Sequence, residues 1–258
     1  MSDAMELLYE VKDHCAWLTL NREWRRNALS YEMIELFFTY LDKARDDEAV
    51  RVVCVTGAGD KAFCSGADLL GALNEEDPTS GITKYADLLK KLNSYPKPLV
   101  AKLNGHCVAG GMGLMLSCDM VYAKEGIKIG TPEVNVGLFP MMIGALIFRN
   151  SPRKKAMEMV YHGRIMPVTE AEEMGLVTRI LPADSFDEEV DRLIAIIASK
   201  SPVANRIGRK AFAQAQEMTL NQALDYLCSK LGEVLKTEDA AEGLAAFMEK
   251  REPQWKGK

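Results

Sequence analysis

The sequence predicts an α/β fold with a parallel sheet in its first half and a helical second half. Up to about Pro140, apolar segments with the pattern of strands alternate with segments of helical periodicity. Such alternation requires crossover connections, which join parallel strands. Beyond Pro140 nearly every segment has helical periodicity, and no flexible linker marks a second domain. The 258 residues, 48% of them hydrophobic, are enough for one large domain with a sizeable core.

Two short strands and a capped helix are predicted at the start of the chain. Residues 7–22, LLYEVKDHCAWLTLNR, alternate enough to form two strands joined by a turn near Asp13. Residues 30–47 indicate a helix, because Ser30 is a good N-cap and apolar residues recur on one face. Those apolar residues are Ile34, Phe37, Leu41 and Ala44.

The central part of the chain supplies the sheet. Residues 50–57, VRVVCVTG, are nearly continuous in valine, as is typical of a buried strand. Helical residues 87–95 then lead to a strand over 97–105. A glycine-rich turn and a helix follow at 104–119, NGHCVAGGMGLMLSCD, and residues 119–125 form another strand.

The second half is nearly all helix, with one short strand over 176–182. Six segments have helical periodicity: 151–163, 169–175, 184–200, 201–216, 221–236 and 238–251. Several of the last helices carry apolar stripes wider than a lone surface helix needs. These stripes are compatible with contact between subunits and with packing on the core of the same chain.

Composition argues against several classes of protein. The net charge is −5, with 32 basic and 37 acidic residues, so we expect no nucleic-acid partner. No apolar run resembles a secretory signal or a membrane span, so we expect a cytoplasmic protein. Six scattered cysteines form no CxxC pair and there are three histidines, so we expect reduced thiols and no metal site.

Several well-known site motifs are incomplete in this chain. TGAGDKA (56–62) has GxGxxA spacing, but no helix begins inside it, which favours a tight strand-end turn over a dinucleotide site. The adjacent side chains of His106 and Cys107 point apart and are a poor nucleophile–base pair. The absence of GxSxG argues against an α/β-hydrolase, and the absence of GK[ST] argues against ATP use.

Two glycine-rich turns and one glutamate are stronger candidates. FCSGADL (63–69) and VAGGMG (108–113) each follow a strand, and glycine there lets the backbone approach a ligand closely. Two N–H groups converging from these turns would form an oxyanion hole, although each turn alone is equally compatible with an ordinary turn glycine. Glu133 is the one acid in IGTPEVNVGLFP (129–140). Apolar surroundings would raise its pKa and suit a general acid/base, whereas an exposed loop glutamate is the alternative.

Six motifs occur in a characteristic order: NREWRRNALS, AFCSGADL, NGHCVAGGMGLMLSCD, GTPEVNVGLFP, GRIMPVTEAEEMGLVTRILP and EGLAAFMEKREPQW. Together they resemble the enoyl-CoA hydratase/isomerase (crotonase) family across essentially the whole chain. The resemblance implies a spiral of ββα units over 1–195 and a helical C-terminal region over 196–258 that builds homotrimers or dimers of trimers. It also implies an acyl-CoA thioester substrate, with coenzyme A as part of the substrate and no separate cofactor.

The resemblance also implies roles for individual residues. Ala67 and Gly110 match the two N–H donors to the thioester oxygen, and Glu133 matches the acid/base. Each donor contributes roughly 3–4 kcal/mol once that oxygen becomes an enolate. Contacts to CoA are implied at Arg25, Arg26, Ser65, Asp68, Leu69, Gly111, Phe247 and Lys250. Phe247 and Lys250 match positions that commonly act across a subunit boundary, and Leu70 stands where many relatives have a lysine.

Gly113 departs from the hydratase pattern of the family. Hydratases usually hold water between two glutamates, one of them three residues after the donor glycine, and Gly113 occupies that position here. Moving a double bond needs one base, so the sequence favours Δ3–Δ2 enoyl-CoA isomerisation by Glu133. Two alternatives stay open: a hydratase with a different second acid, and a non-catalytic CoA-binding relative. The candidate second acids are Asp68, Glu75, Glu76 and Asp77.

Two segments are predicted to flank this site. Residues 71–85, GALNEEDPTSGITKY, are polar and turn-rich and are predicted to form a loop over the acyl group. Residues 138–148, LFPMMIGALIF, are apolar and compatible with either an acyl pocket or an ordinary buried helix.

Overall fold

Two sheets organise the computed structural model, which describes residues 5–68 and 78–258. The larger sheet has the spatial order β1 (Leu7–Lys12), β2 (Cys15–Leu20), β3 (Val52–Gly57), β5 (Leu99–Leu103), β7 (Met120–Lys124) and β10 (Arg179–Leu181). The smaller sheet has the order β4 (Ala62–Cys64), β6 (His106–Val108), β8 (Lys128–Gly130) and β9 (Ile165–Pro167). The β1–β2 and β8–β9 pairs are antiparallel, and the other pairs are parallel.

The helices follow the order expected of an α/β chain with a helical second half. The described helices are α1 (Tyr31–Asp46), α2 (Pro78–Asn93), α3 (Gly110–Leu116), α4 (Met141–Asn150), α5 (Arg153–His162), α6 (Val168–Glu173), α7 (Phe186–Ala198), α8 (Pro202–Ala215), α9 (Leu220–Val234) and α10 (Glu238–Glu249). Over the described residues, none of these helices combines the length and apolar character needed to cross a membrane. The predicted fold class is confirmed.

Both faces of the larger sheet are covered, which explains why β3 is nearly continuous in valine. Val53 and Val55 pack in the main core with the apolar face of α1. Val52 and Cys54 point the other way and pack against α7. The predicted N-cap of α1 is confirmed, because the Ser30 hydroxyl accepts the Met33 N–H at 3.1 Å.

The smaller sheet was not predicted from the sequence. Its four strands have three residues each, too few to show a period of two.

Sequence analysis was also wrong for the end of the 71–85 segment, because α2 begins at Pro78 and extends through Tyr85. Proline is well accommodated at the first position of a helix. TGAGDKA is a strand-end turn, as favoured, because β4 and not a helix begins at Ala62.

Charged side chains join the C-terminal helices to the core and to one another. Arg209 on α8 pairs with Asp119 at 2.7 Å, and the buried Asp239 on α10 accepts the Ser201 hydroxyl at 2.7 Å. The expected division at 195/196 falls inside α7, which packs on the larger sheet. The outer surface of the last helices exposes many large apolar side chains. They are Phe212, Leu220, Leu224, Leu231, Leu235, Leu244, Phe247 and Met248.

Asn27 fixes the chain segment between β2 and α1 to the turn between β3 and β4. It is fully buried and has a left-handed backbone with φ 56°. Its side chain accepts the Arg22 N–H at 3.0 Å and donates to the carbonyls of Ala58 at 3.0 Å and Ala62 at 2.7 Å. One amide side chain therefore joins both ends of that turn to the segment that precedes α1.

We expect Asn27→Ala to lower the free energy of unfolding by about 3 kcal/mol, measured by denaturant titration. The substitution leaves buried polar groups unsatisfied and forces alanine into the left-handed region. Asn21→Ala is the matched control, because its amide donates to Met5 at an exposed position, and its cost should stay below about 1 kcal/mol. Equal losses for the two variants would contradict this account of Asn27.

Candidate active site

Three neighbouring parallel strands of the smaller sheet end at one edge. β4 pairs with β6 through Ala62 and His106, and β6 pairs with β8 through Cys107 and Ile129. Carboxyl ends of adjacent parallel strands lie at the same edge of a sheet. Each of these strands is followed directly by one segment that carries a predicted catalytic residue. The topology thus brings together the segments of Ala67, Gly110 and Glu133.

The first turn, residues 65–68, is held by a single parallel bridge to Leu29. The Leu29 N–H donates to the Gly66 carbonyl at 2.8 Å, and the Asp68 N–H donates to the Leu29 carbonyl at 2.9 Å. In such a bridge the N–H of the central residue points to the opposite side. The Ala67 N–H therefore faces away from Leu29.

The predicted CoA-contacting residues near this turn do lie beside it. The Ser65 N–H donates to the Arg26 carbonyl at 3.1 Å, and the Ser65 hydroxyl donates to the Arg25 carbonyl at 3.3 Å. The arginine side chains are exposed. The Asp68 carboxylate pairs with the partly buried Arg22 at 2.8 Å, so it serves to anchor the turn. Leu69, also predicted to contact CoA, lies outside the described residues.

The second turn contains a strained residue immediately before the donor glycine. Ala109 has φ 51° and ψ −130°, a conformation that is costly for any residue except glycine. Its N–H donates to the Gly130 carbonyl at 2.9 Å, which fixes the turn to β8. α3 then begins at Gly110, and Gly111 is buried against Cys64. The strain is concentrated at the peptide that carries the Gly110 N–H.

The two turns are in direct backbone contact. A Cβ atom on Gly66, which has φ +96°, would lie 2.8 Å from the Ala109 Cβ and 3.1 Å from the Gly110 nitrogen. A Cβ atom on Gly110 would lie 3.4 Å from the Ala67 nitrogen. Within the described part of the chain, the N–H groups of Ala67 and Gly110 donate to no backbone carbonyl. Two adjacent unpaired N–H groups are the arrangement that an oxyanion hole requires.

Glu133 lies in a 3₁₀ turn, Pro132–Val136, directly after β8. Its side chain is half-buried, and its Oε2 atom is buried with no hydrogen-bond partner among the described residues. Burial raises the pKa of Glu133 above the ordinary glutamate value, and a hydrogen bond from its own backbone N–H opposes this shift in part. A carboxylate that is poorly solvated and has one oxygen atom without a partner is well suited to accept a proton.

Tyr85 is a residue of this site that sequence analysis missed. Its buried hydroxyl donates to the Gly110 carbonyl. A Cβ atom on Gly113 would collide with that hydroxyl and would lie 2.8 Å from the Ile143 Cγ2 atom. Burial raises the pKa of Tyr85 well above its ordinary value, so the phenol is neutral. No sequence signal pointed to Tyr85, because its segment reads as a polar loop.

The remaining predicted residues lie farther from the two turns. Phe247 and Lys250 are exposed at the end of α10, and no described hydrogen bond or ion pair joins them to residues 65–68 or 109–111. Their role across a subunit boundary stays a prediction.

The 138–148 segment divides into an exposed part and a buried part. Leu138, Phe139 and Met141 are exposed, whereas Ile143 and Ile147 are buried.

Comparison with known proteins places this chain in a family. Residues 10–258 match the family model described as enoyl-CoA hydratase/isomerase. The chain is 32% identical to 2,3-dehydroadipyl-CoA hydratase of Escherichia coli K12 over 255 residues, which cover 98% of this chain and 99% of that protein. It is 33% identical to carnitinyl-CoA dehydratase of Proteus mirabilis over 236 residues, 89% of this chain and 88% of that protein.

A solved structure agrees in fold. The crystal structure of enoyl-CoA hydratase from Bacillus anthracis superimposes with a TM-score of 0.94 at 31% identity, covering 98% of this chain and 100% of that one. The agreement extends over sheets and helices alike and matches the mixed α/β architecture with a helical C-terminal region. The protein therefore belongs to the enoyl-CoA hydratase/isomerase (crotonase) family of acyl-CoA enzymes.

Proposed function

We propose that the protein moves the double bond of a 3-enoyl-CoA to the 2-position. Glu133 acts as the acid/base, and the N–H groups of Ala67 and Gly110 hold the thioester oxygen. The observation that carries this proposal is the filled space over Gly113, where a side chain would collide with the Tyr85 hydroxyl. A second carboxylate cannot project from that position without displacing the phenol.

The charges around Tyr85 support the same proposal. Among the carboxylates of the described residues, Glu133 is the one whose charge raises the pKa of Tyr85. One carboxylate together with two N–H donors suits proton transfer between two carbon atoms. Addition of water additionally requires a group that orients the water molecule and a proton donor for C2.

The isomerisation needs no group beyond these three. The Glu133 carboxylate takes a proton from C2, the C2–H electron pair enters a dienolate that extends from C4 to the thioester oxygen, and the same carboxyl group returns the proton to C4. The two N–H groups stabilise the negative oxygen of the dienolate by roughly 3–4 kcal/mol each. The product is the 2-enoyl-CoA, and the carboxylate is regenerated.

Hydration of a 2-enoyl-CoA is the second candidate function. The names of the Escherichia coli relative and of the Bacillus anthracis structure favour it, because both are hydratases. It requires a second acid. The ion pair of Asp68 with Arg22 argues against Asp68 in that role. Glu75, Glu76 and Asp77 lie outside the described residues.

The CoA part of the substrate is assigned to the surface beside the first turn. The exposed guanidinium groups of Arg25 and Arg26 suit the phosphates. The backbone of Ser65, Asp68, Leu69 and Gly111 is assigned to the adenine and pantetheine portions. Phe247 and Lys250 are assigned to the CoA site of a neighbouring subunit.

The exposed apolar face of α8, α9 and α10 supports a homotrimer, or a dimer of trimers, as the form that completes these sites. An apolar face this rich in leucine and phenylalanine is typical of an obligate interface. Sedimentation of the purified protein at the mass of a monomer would contradict this assignment.

We expect Glu133→Gln to lower kcat for conversion of 3-enoyl-CoA to 2-enoyl-CoA by roughly 10²–10⁴-fold, because the amide cannot accept the C2 proton. KM should change little, since the CoA contacts are elsewhere. Glu158→Gln, at an exposed position on α5, is the matched control and should keep full activity. Full activity in Glu133→Gln would overturn the assignment of the base. Formation of 3-hydroxyacyl-CoA from 2-enoyl-CoA, with no isomer from 3-enoyl-CoA, would instead favour the hydratase.

The raised pKa of Glu133 predicts the acid limb of the pH profile. The carboxylate is the active form, so kcat/KM should fall as the pH is lowered through a pKa above the ordinary glutamate value of 4.5. Glu133→Asp should retain an acid limb, whereas the residual activity of Glu133→Gln should lack it. An acid limb of kcat/KM with its midpoint at or below pH 4.5 in the wild-type protein would contradict the statement that burial raises the pKa of Glu133.

A further inference from the structure

Tyr85 lies against the second turn of the candidate site. Its hydroxyl donates to the Gly110 carbonyl, and it fills the space that a side chain on Gly113 would take. Burial is the main cause of the raised pKa of Tyr85, and the negative charge of Glu133 adds to it. The phenol hydroxyl thus lies against the start of α3, the helix that follows β6.

Without this phenol, the same space would suit a water molecule. A buried water needs two to four polar partners. The Gly110 carbonyl is one such partner. The Glu133 carboxylate acts electrostatically on the same phenol, and its Oε2 atom has no hydrogen-bond partner among the described residues. Tyr85 takes the Gly110 carbonyl as its own acceptor and fills the volume over Gly113 with a ring that carries no charge.

We propose that Tyr85 is a specificity-determining residue, which excludes water from the space beside Glu133 so that the proton taken from C2 returns to C4 of the same substrate molecule. This inference rests on the proposed isomerisation. In chemical terms, the space that Tyr85 fills holds no water to exchange a proton with the carboxyl group formed on Glu133 or to protonate the dienolate. It also holds no water to add to C3 of the 2-enoyl product.

The partition of a deuterium label measures this exclusion directly. A 3-enoyl-CoA carrying deuterium at C2 is converted in ordinary water, and mass spectrometry of the 2-enoyl-CoA gives the fraction of label found at C4. The fraction compares deuterium transferred to C4 with deuterium lost to water in the same turnover. A variant that is only partly folded therefore gives the same value as one that is fully folded. A role for Tyr85 in stability alone would leave it unchanged.

We expect the wild-type protein to retain label at C4, Tyr85→Phe to retain less, and Tyr85→Ala to lose label several-fold and to form detectable 3-hydroxyacyl-CoA. The order follows the volume opened over Gly113. Equal retention across the series, or complete loss of label in the wild-type protein, would overturn the inference while the isomerisation stands. Efficient hydration by the wild-type protein without isomerisation would overturn both, as would the absence of any turnover.

A second measurement tests the pairing of Tyr85 with Gly113 in the folded protein. Gly113→Ala should lower the Tm by several degrees, and Tyr85→Phe in the same chain should restore part of that loss, because the colliding hydroxyl is gone. Gly144→Ala on α4 is the matched control. A Cβ atom there would meet nothing within 4 Å, so its Tm should not fall. A Gly113→Ala variant as stable as the control would show that the phenol does not fill this space.

Discussion

The parallel pairing of β4, β6 and β8 is the constraint on which the rest of the site depends. Each strand has only three residues, yet their register brings three segments from distant parts of the sequence to one sheet edge. Two of these segments touch through their backbones, and the third carries the half-buried carboxyl group of Glu133. The larger sheet and its helices supply the stable core against which this small sheet is held in place.

Rigidity at the two turns follows from the way each is tied to its surroundings. The bridge from Leu29 and the ion pair of Arg22 with Asp68 hold the first turn, while the bond from Ala109 to Gly130 holds the second. The unfavourable backbone conformation of Ala109 persists because these contacts and the helix after it determine its position. Donors that are fixed before a substrate binds do not have to reorganise when negative charge develops on an oxygen atom.

Sequence analysis predicted the larger sheet, α1 with its Ser30 cap, and the helical second half, because each has a long periodic pattern or a clear capping residue. The turns at 65–68 and 109–111 were recognisable from their glycines, and the motifs identified the family. The smaller sheet was missed because three-residue strands carry no periodic signal. Tyr85 was missed for a different reason: its burial depends on how α2 packs against the glycine at 113, which no local pattern in 71–85 reveals.

The thiols beneath the two turns have a consequence for the fate of the acyl group. Cys64 and Cys107 flank the region assigned to the thioester, and a thiolate there would be able to capture the acyl chain by transthioesterification. Burial raises the pKa of Cys64 to about 12 and moves that of Cys107 in the same direction. Both thiols are therefore protonated at neutral pH, so neither presents the thiolate that capture of an acyl chain would require.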